Sequence, residues 1–114
     1  PGNNRLEYLH EGGARGSLQL LGVDVVNDLA LLRMDKAGAA HVALGTSQLR
    51  KGTRVFSLGN PHDIGFTIVE GIHNGLAAET FHDKIHFSGA INQGMSGGPA
   101  LSSDGRVVGV NVMT

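Results

Sequence analysis

The 114-residue chain contains no cysteine, no tryptophan and few charged residues, and these shortages exclude several classes of protein. Without cysteine the fold has neither a disulfide framework nor a cysteine-ligated zinc site. Charged residues make up 17% of the sequence, against a typical ~25%. The formal net charge of -1 excludes the basic surface of a nucleic-acid-binding protein. No apolar run approaches the ~20 residues that span a membrane, so we expect no nucleic-acid partner and no membrane span.

The chain is rich in glycine, and its apolar residues recur with a period close to two. Short apolar runs separated by Gly, Asn, Asp and Pro are typical of strands joined by tight turns. The pattern predicts eight strands: residues 5–10, 17–26, 29–34, 53–58, 66–76, 85–88, 100–101 and 107–112. We expect the second strand to direct its leucines and valines to a core, Gly71 to mark a bulge or a bend, and Asp104-Gly105 to close a hairpin. Such a series indicates an all-β sandwich or barrel.

The stretch Gly94-Met95-Ser96-Gly97-Gly98-Pro99 places a hydroxyl between glycines, which suits an acyl-transfer nucleophile. The backbone amides of Gly94 and Ser96 can point at one oxyanion, and Gly97 leaves the approach to the hydroxyl open. The same letters also fit an ordinary glycine-rich turn and the nucleophile elbow of α/β-hydrolases. The elbow requires a helix after the serine and a later histidine. Here Pro99 and a hairpin follow, and the last histidine is His86.

The sequence from the serine onward closely resembles the serine region of trypsin-like proteases of the HtrA (Deg) type. The resemblance rests on the glycine-flanked Ser96, on Asp104-Gly105 and on Val107–Asn111. Other segments match the family in order: an aspartate motif in residues 23–32, the start of the second barrel in residues 49–61, and a strand in residues 67–72. Together they cover nearly the whole chain, and their order makes the combination more specific than any one motif.

The resemblance implies an all-β, chymotrypsin-like fold that consists of the end of a first barrel and most of a six-stranded second barrel. The first part would comprise residues 1–44 and carry the aspartate motif, and the second would comprise residues 45–114. It implies Ser96 as the nucleophile, Asp28 as the acid that orients a histidine, and the amides of Gly94 and Ser96 as the oxyanion hole.

The resemblance also places the primary specificity pocket on uncharged residues: Ala90, Ile91, Asn92 and Asn111. Such a pocket favours a small or medium apolar side chain, because a buried cation needs a paired carboxylate. The family commonly carries Thr-Asp where this chain has Phe87-Ser88. This difference leaves the hydrogen bonding just before the serine loop open.

The catalytic histidine of the family has no counterpart in this sequence. The family places it before the aspartate motif, in an apolar segment ending in a small residue, His and Val, and Pro1 starts just past that segment. His10 precedes a glycine turn at a strand end, and we do not expect it to be the base. A serine hydroxyl without an adjacent base is a poor nucleophile, so we expect the chain alone to be nearly inactive.

Two functions therefore stay open. The chain is either part of a serine endopeptidase that acts on polypeptides with a histidine from elsewhere, or a non-catalytic half-barrel that binds peptides or assembles with itself. A partial first barrel would leave apolar strand edges uncovered. We expect a homodimer formed by edge pairing or by exchange of an N-terminal segment. The alternative is that a further N-terminal segment completes the barrel.

No cofactor and no metal are expected. His82 and His86 would share a face if they lay on a helix, but their surroundings are typical of a loop and a strand. We interpret His62-Asp63 as a solvated loop pair and Asp24 as a polar turn residue. The lack of cysteine fits either cytoplasm or periplasm, and the resemblance favours the periplasm or cell envelope.

Overall fold

A computed structural model describes residues 6–10, 12–36, 40–46, 49–60, 65–76, 85–91 and 93–112, with the backbone alone at residues 76, 85, 86 and 93. These residues form eight strands and a short 3₁₀ helix, Gln93–Met95. The strands are β1 Leu6–Leu9, β2 Arg15–Asp24, β3 Leu29–Met34, β4 Arg54–Gly59, β5 Thr67–Leu76, β6 Ile85–Phe87, β7 Pro99–Ser102 and β8 Val107–Val110. The predicted all-β class is confirmed.

The chain divides into two compact units, Pro1–His41 and Val42–Thr114. The first unit holds a three-stranded antiparallel sheet in the order β1-β2-β3. The second unit holds a five-stranded antiparallel sheet in the order β6-β5-β4-β7-β8. The boundary of the two barrels at residue 44 stays a prediction.

In the first unit, β2 ends earlier than its apolar pattern predicts. Val25 and Val26 lie in the turn to β3, because Asp24 at the end of β2 accepts hydrogen bonds from Asn27. The expectation that β2 directs its apolar residues to a core is also wrong. Leu20, Leu21, Val23, Val25 and Val26 are all exposed, as is every residue of β3.

A tyrosine and an aspartate join the ends of the first unit's strands. The Tyr8 hydroxyl donates to Asp35 Oδ1 (3.0 Å), and the Ser17 N–H donates to Asp35 Oδ2 (3.0 Å). The Tyr8 ring lies against Gly16, where any side chain would overlap it. The hydrogen bonds from Ser17 and then Tyr8 lower the pKa of Asp35, and the bond to Asp35 raises the pKa of Tyr8.

The second unit has a buried apolar core among the described residues, formed by Val55, Met95 and Val108. The central strand β4 supplies Val55 and pairs with β5 on one side and β7 on the other. The Phe87 ring lies where side chains on Gly71 and Gly89 would be. Of the two features expected at Gly71, a bulge is absent from the β4–β5 pairing, since Gly71 pairs in continuous register with Val55. Its lack of a side chain makes room for the Phe87 ring.

The β7–β8 hairpin has the turn that Asp104-Gly105 predicts. Gly105 has a positive φ of 82°, and its N–H donates to the Ser102 carbonyl (2.9 Å). The Ser102 hydroxyl donates to the Asp104 carboxylate, and this bond lowers the pKa of Asp104. The hairpin therefore follows the loop that carries Ser96, with β7 first and β8 after the turn.

Candidate functional site

The predicted acid, Asp28, lies at the end of the turn between β2 and β3 in the first unit. Asp24 fixes this turn by accepting from the Asn27 backbone N–H (3.1 Å) and side-chain amide (2.7 Å). Asp28 has a φ of 57°, in the left-handed region, which aspartate tolerates better than most residues do. Its side chain is exposed, so the turn presents a carboxylate at the surface of its unit.

The predicted nucleophile, Ser96, lies in the second unit on an exposed turn between the 3₁₀ helix and β7. Met95 before it is fully buried, and Gly97 after it has a positive φ of 87°, which glycine adopts without strain. The Gly98 N–H donates to the Met95 carbonyl (3.1 Å) and closes the turn. The alternation of buried and exposed residues anchors the loop on one side and exposes Ser96 on the other.

The backbone of Asn111 pairs with this loop. Its N–H donates to the Gly98 carbonyl (2.8 Å), and its carbonyl accepts from the Gly97 N–H (2.8 Å). A further stretch of backbone, just past the end of β8, therefore holds the residues that follow Ser96.

The side chain of Asn111 is buried, with only 5% exposed, and all its polar groups are used. Its Nδ2 donates to the carbonyls of Leu58 (3.1 Å) and Met95 (3.2 Å). Its Oδ1 accepts from the buried Ser57 hydroxyl (2.9 Å). Sequence reasoning missed Ser57, because its link to the loop depends on how β4 and β8 are arranged.

The predicted oxyanion donors lie at the 3₁₀ helix and just after it. Gly94 is inside the helix Gln93–Met95 and exposed, and Ser96 directly follows its last residue. A 3₁₀ helix bonds each amide to the carbonyl three residues before it. Gly94 is the second residue of this helix, so its amide has no acceptor inside the helix, and the oxyanion role of both amides stays a prediction.

The predicted pocket residues differ in their surroundings. Ala90 is exposed, Ile91 is half-buried, and Asn92 lies outside the described residues. Ser88 is hydrogen-bonded to Ile72: its Oγ accepts from the Ile72 N–H (2.9 Å), and its own N–H donates to the Ile72 carbonyl (3.0 Å). The segment before the pocket is thus tied to β5.

Two histidines in the described part of the chain have clear structural positions. His10 accepts from the Gly12 N–H at Nδ1 (3.2 Å) and caps its own turn. His73 is buried in β5, and among described residues its Nδ1 is the buried side-chain polar atom without a hydrogen-bond partner. His62 and His82 lie outside the described residues, and of His86 only the backbone is described.

No cluster of three or more potential metal ligands occurs within the described ranges. The part of the chain that the structure describes also has no helix with the length and apolar character needed to cross a membrane.

Comparisons with known proteins agree with this geometry. Residues 2–110 match the family described as the trypsin-like peptidase domain. The chain is 36% identical to the serine protease Do-like HtrA of Bacillus subtilis, over 89% of this chain and 25% of that protein. It is 38% identical to the chloroplastic protease Do-like 5 of Arabidopsis thaliana, over 84% of this chain and 33% of that protein.

The crystal structure of Deg5 matches with a TM-score of 0.78 and 32% sequence identity, over 95% of this chain and 57% of that chain. The chain thus spans a quarter to a third of the two curated relatives. These matches confirm the resemblance to HtrA-type proteases and the prediction of a trypsin-like barrel fragment. The chain belongs to the trypsin-like peptidase domain family, and within it to the HtrA-type serine proteases.

Proposed function

We propose that this chain supplies the nucleophile and the orienting acid of a serine endopeptidase that cleaves polypeptides. The observation that carries the proposal is the exposed Ser96 on a turn whose neighbours are anchored in the core. Ser96 attacks the peptide carbonyl, and Asp28 orients a histidine that takes the serine proton. The amides of Gly94 and Ser96 stabilise the oxyanion once an acyl group occupies the site.

The proposal requires a histidine from outside residues 1–114. His10 is the only histidine that precedes the aspartate motif in the sequence, and its Nδ1 is bonded to its own turn. Without a base, the Ser96 hydroxyl keeps its proton at neutral pH. The chain alone is therefore nearly inactive.

A fluorophosphonate probe tests this function, with intact mass as the measurement. The chain alone should label at least about a thousandfold more slowly than a chain extended before Pro1 by a segment that carries the family's histidine. In the extended chain we expect a single adduct at Ser96, and Ser96→Ala should abolish it. Asp28→Asn should slow labelling without removing it. No adduct in the extended chain would overturn the proposal.

The pocket supports a substrate preference for small or medium apolar side chains. Ala90, Ile91 and Asn111 carry no charge, so none of them offers a carboxylate to a buried lysine or arginine. Cleavage of peptides by the extended chain should occur after alanine or valine rather than after lysine. A preference for basic residues would contradict this assignment.

A second candidate is a non-catalytic module that binds an extended peptide or assembles with itself. It is favoured by the exposed apolar residues of the first unit, where β3 forms one edge of the sheet and Leu31 is 64% exposed. Such an edge can pair with a second copy. Sedimentation at tens of micromolar should show a dimer for this candidate, and a monomer that binds no peptide would exclude it.

A further inference from the structure

We propose that Asn111 is a positioning residue that sets the direction of the Ser96 backbone amide, and that Ser57 fixes the orientation of Asn111. The proposal rests on the proposed function, because the Ser96 amide is one of the two expected oxyanion donors. It assigns Asn111 a role different from the substrate pocket in which the sequence places it. It also gives Ser57 a role in the site.

The argument begins with one peptide group. The Met95 carbonyl and the Ser96 N–H belong to the same planar trans peptide, so they point in opposite directions. Two donors hold the carbonyl on the buried side, the Asn111 side-chain amide (3.2 Å) and the Gly98 N–H (3.1 Å). The Ser96 N–H is thereby directed away from the core, toward the exposed side of the loop.

The second step concerns the orientation of the Asn111 amide. Its NH₂ group must face the Leu58 and Met95 carbonyls, because the side-chain oxygen Oδ1 is itself an acceptor and cannot bond to a carbonyl oxygen. The Ser57 hydroxyl donates to Oδ1 on the opposite side and stabilises this orientation. Ser57 is 1% exposed, so water cannot readily replace its hydroxyl if it is removed.

The two expected oxyanion donors are therefore held differently. The Ser96 amide belongs to the peptide that Asn111 holds. The Gly94 amide belongs to the peptide between Gln93 and Gly94 in the 3₁₀ helix, whereas the Asn111 side chain bonds to the carbonyl of Met95. Losing the Asn111 side chain should disturb the Ser96 side of the site first.

The test compares Asn111→Asp and Ser57→Ala with a matched control, Val108→Ala. Val108 is buried in the same unit, on the strand that leads to Asn111, and contributes no side-chain hydrogen bond. Amide hydrogen exchange of Gly97 and Gly98, together with the amide chemical shift of Ser96, reports the loop directly by NMR in the full chain. Global unfolding by urea is measured for each variant, so that exchange through global unfolding can be subtracted.

After that subtraction, Asn111→Asp should speed exchange of Gly97 by about tenfold and Ser57→Ala by about threefold, as expected for the loss of buried hydrogen bonds. Both should shift the Ser96 amide signal. Val108→Ala should change neither the Gly97 exchange rate nor the Ser96 amide signal beyond what its effect on global stability explains. The proposal would be overturned if Gly97 exchange were unchanged in both Asn111→Asp and Ser57→Ala, or if it changed equally in the control Val108→Ala.

A pH profile separates positioning from simple loss of packing. At low pH the carboxyl introduced by Asn111→Asp takes up a proton and regains one donor for the Met95 carbonyl. The difference in Gly97 exchange rate between Asn111→Asp and the wild-type chain should therefore become smaller at low pH. The same difference for Ser57→Ala should not change. The hydrogen-bond partners of Asn111 are a hydroxyl, carbonyls and an amide, none of which titrates in this range. Equal acid responses in the two variants would contradict the assignment.

These measurements need no enzymatic turnover. An extended chain that never labels with the fluorophosphonate probe would count against the proposed protease, while the exchange data would still decide the role of Asn111. If Asn111→Asp does not fold, Ser57→Ala retains Asn111 and removes a single oxygen atom, so the exchange comparison remains decisive.

Discussion

The two units have similar strand patterns but very different interiors. In the first unit every residue of β3 is exposed, whereas in the second unit β4 has the buried Val55 and Ser57, and only Arg54 in it is exposed. Both strands are rich in apolar residues. The difference shows that apolar alternation predicts a strand, while burial depends on whether a second layer covers its faces. Stability should therefore depend on packing in the second unit and on local hydrogen bonds in the first.

The largest effect should come from Met95→Ala in the second unit. Met95 is completely buried, and its loss should reduce the free energy of unfolding by about 2–5 kcal/mol. The same truncation at the exposed Leu31 in the first unit should cost less than about 1 kcal/mol. Urea unfolding followed by NMR signals from each unit measures both. Equal losses would mean that Leu31 is covered in solution.

A smaller effect is expected from adding one methyl group. In Gly98→Ala the new Cβ would overlap the Leu58 backbone carbonyl, which cannot move away, so the second unit should lose about 1–3 kcal/mol. Gly22→Ala in the first unit is the control, because nothing lies within 4 Å of its Cβ position. We expect it to stay within about 0.5 kcal/mol of the wild-type chain. A tolerated Gly98→Ala would show that the serine loop is less tightly packed than this structure indicates.

In the first unit, sensitivity to acid should come from Asp35. Its pKa is lowered in the folded chain, so its stabilising effect is present above about pH 4 and is lost as the pH falls through the lowered value. Asp35→Asn should flatten this acid dependence in first-unit NMR signals during urea titrations between pH 6 and 2. Tyr8→Phe should flatten it less, since the Ser17 N–H remains. An unchanged acid response in Asp35→Asn would assign the effect to another carboxylate.

The smallest effect should come from the ion pair between Arg54 and Glu70 on the outside of the second unit. The pair is 3.3 Å apart, but both side chains are half or more exposed. A double-mutant cycle with Arg54→Ala and Glu70→Ala should give a coupling below about 0.5 kcal/mol in urea unfolding. A larger coupling would show that position in the second unit, rather than burial, sets the cost of a substitution.

The sequence was sufficient to predict the strands and the serine loop. Apolar runs, Asp104-Gly105 and the glycine-flanked Ser96 are local signals, and each depends on a few neighbouring residues. The end of β2 was missed because the Asp24–Asn27 hydrogen bonds take Val25 and Val26 into a turn. The role of Gly71 was missed because it depends on the Phe87 ring from another strand.

Long-range hydrogen bonds explain what the sequence could not predict about the candidate site. Ser57 and Asn111 are 54 residues apart, and only the pairing of β4, β7 and β8 brings them together. Ser57 belongs to no motif of the sequence, and Asn111 was predicted only as a pocket residue, through the family resemblance. A buried serine surrounded by apolar residues, such as Ser57 between Phe56 and Leu58, is the one local signal that a polar partner is needed.

The backbone of Asp28 has a consequence for engineering and selection. Its left-handed conformation is one that glycine adopts with less strain, so Asp28→Gly should leave the turn intact and relieve about 1 kcal/mol of strain. A screen for thermostability alone would therefore favour chains that have lost the acid of the proposed catalytic site. At this turn the requirements of stability and of chemistry oppose each other, and only selection that demands activity would retain the aspartate.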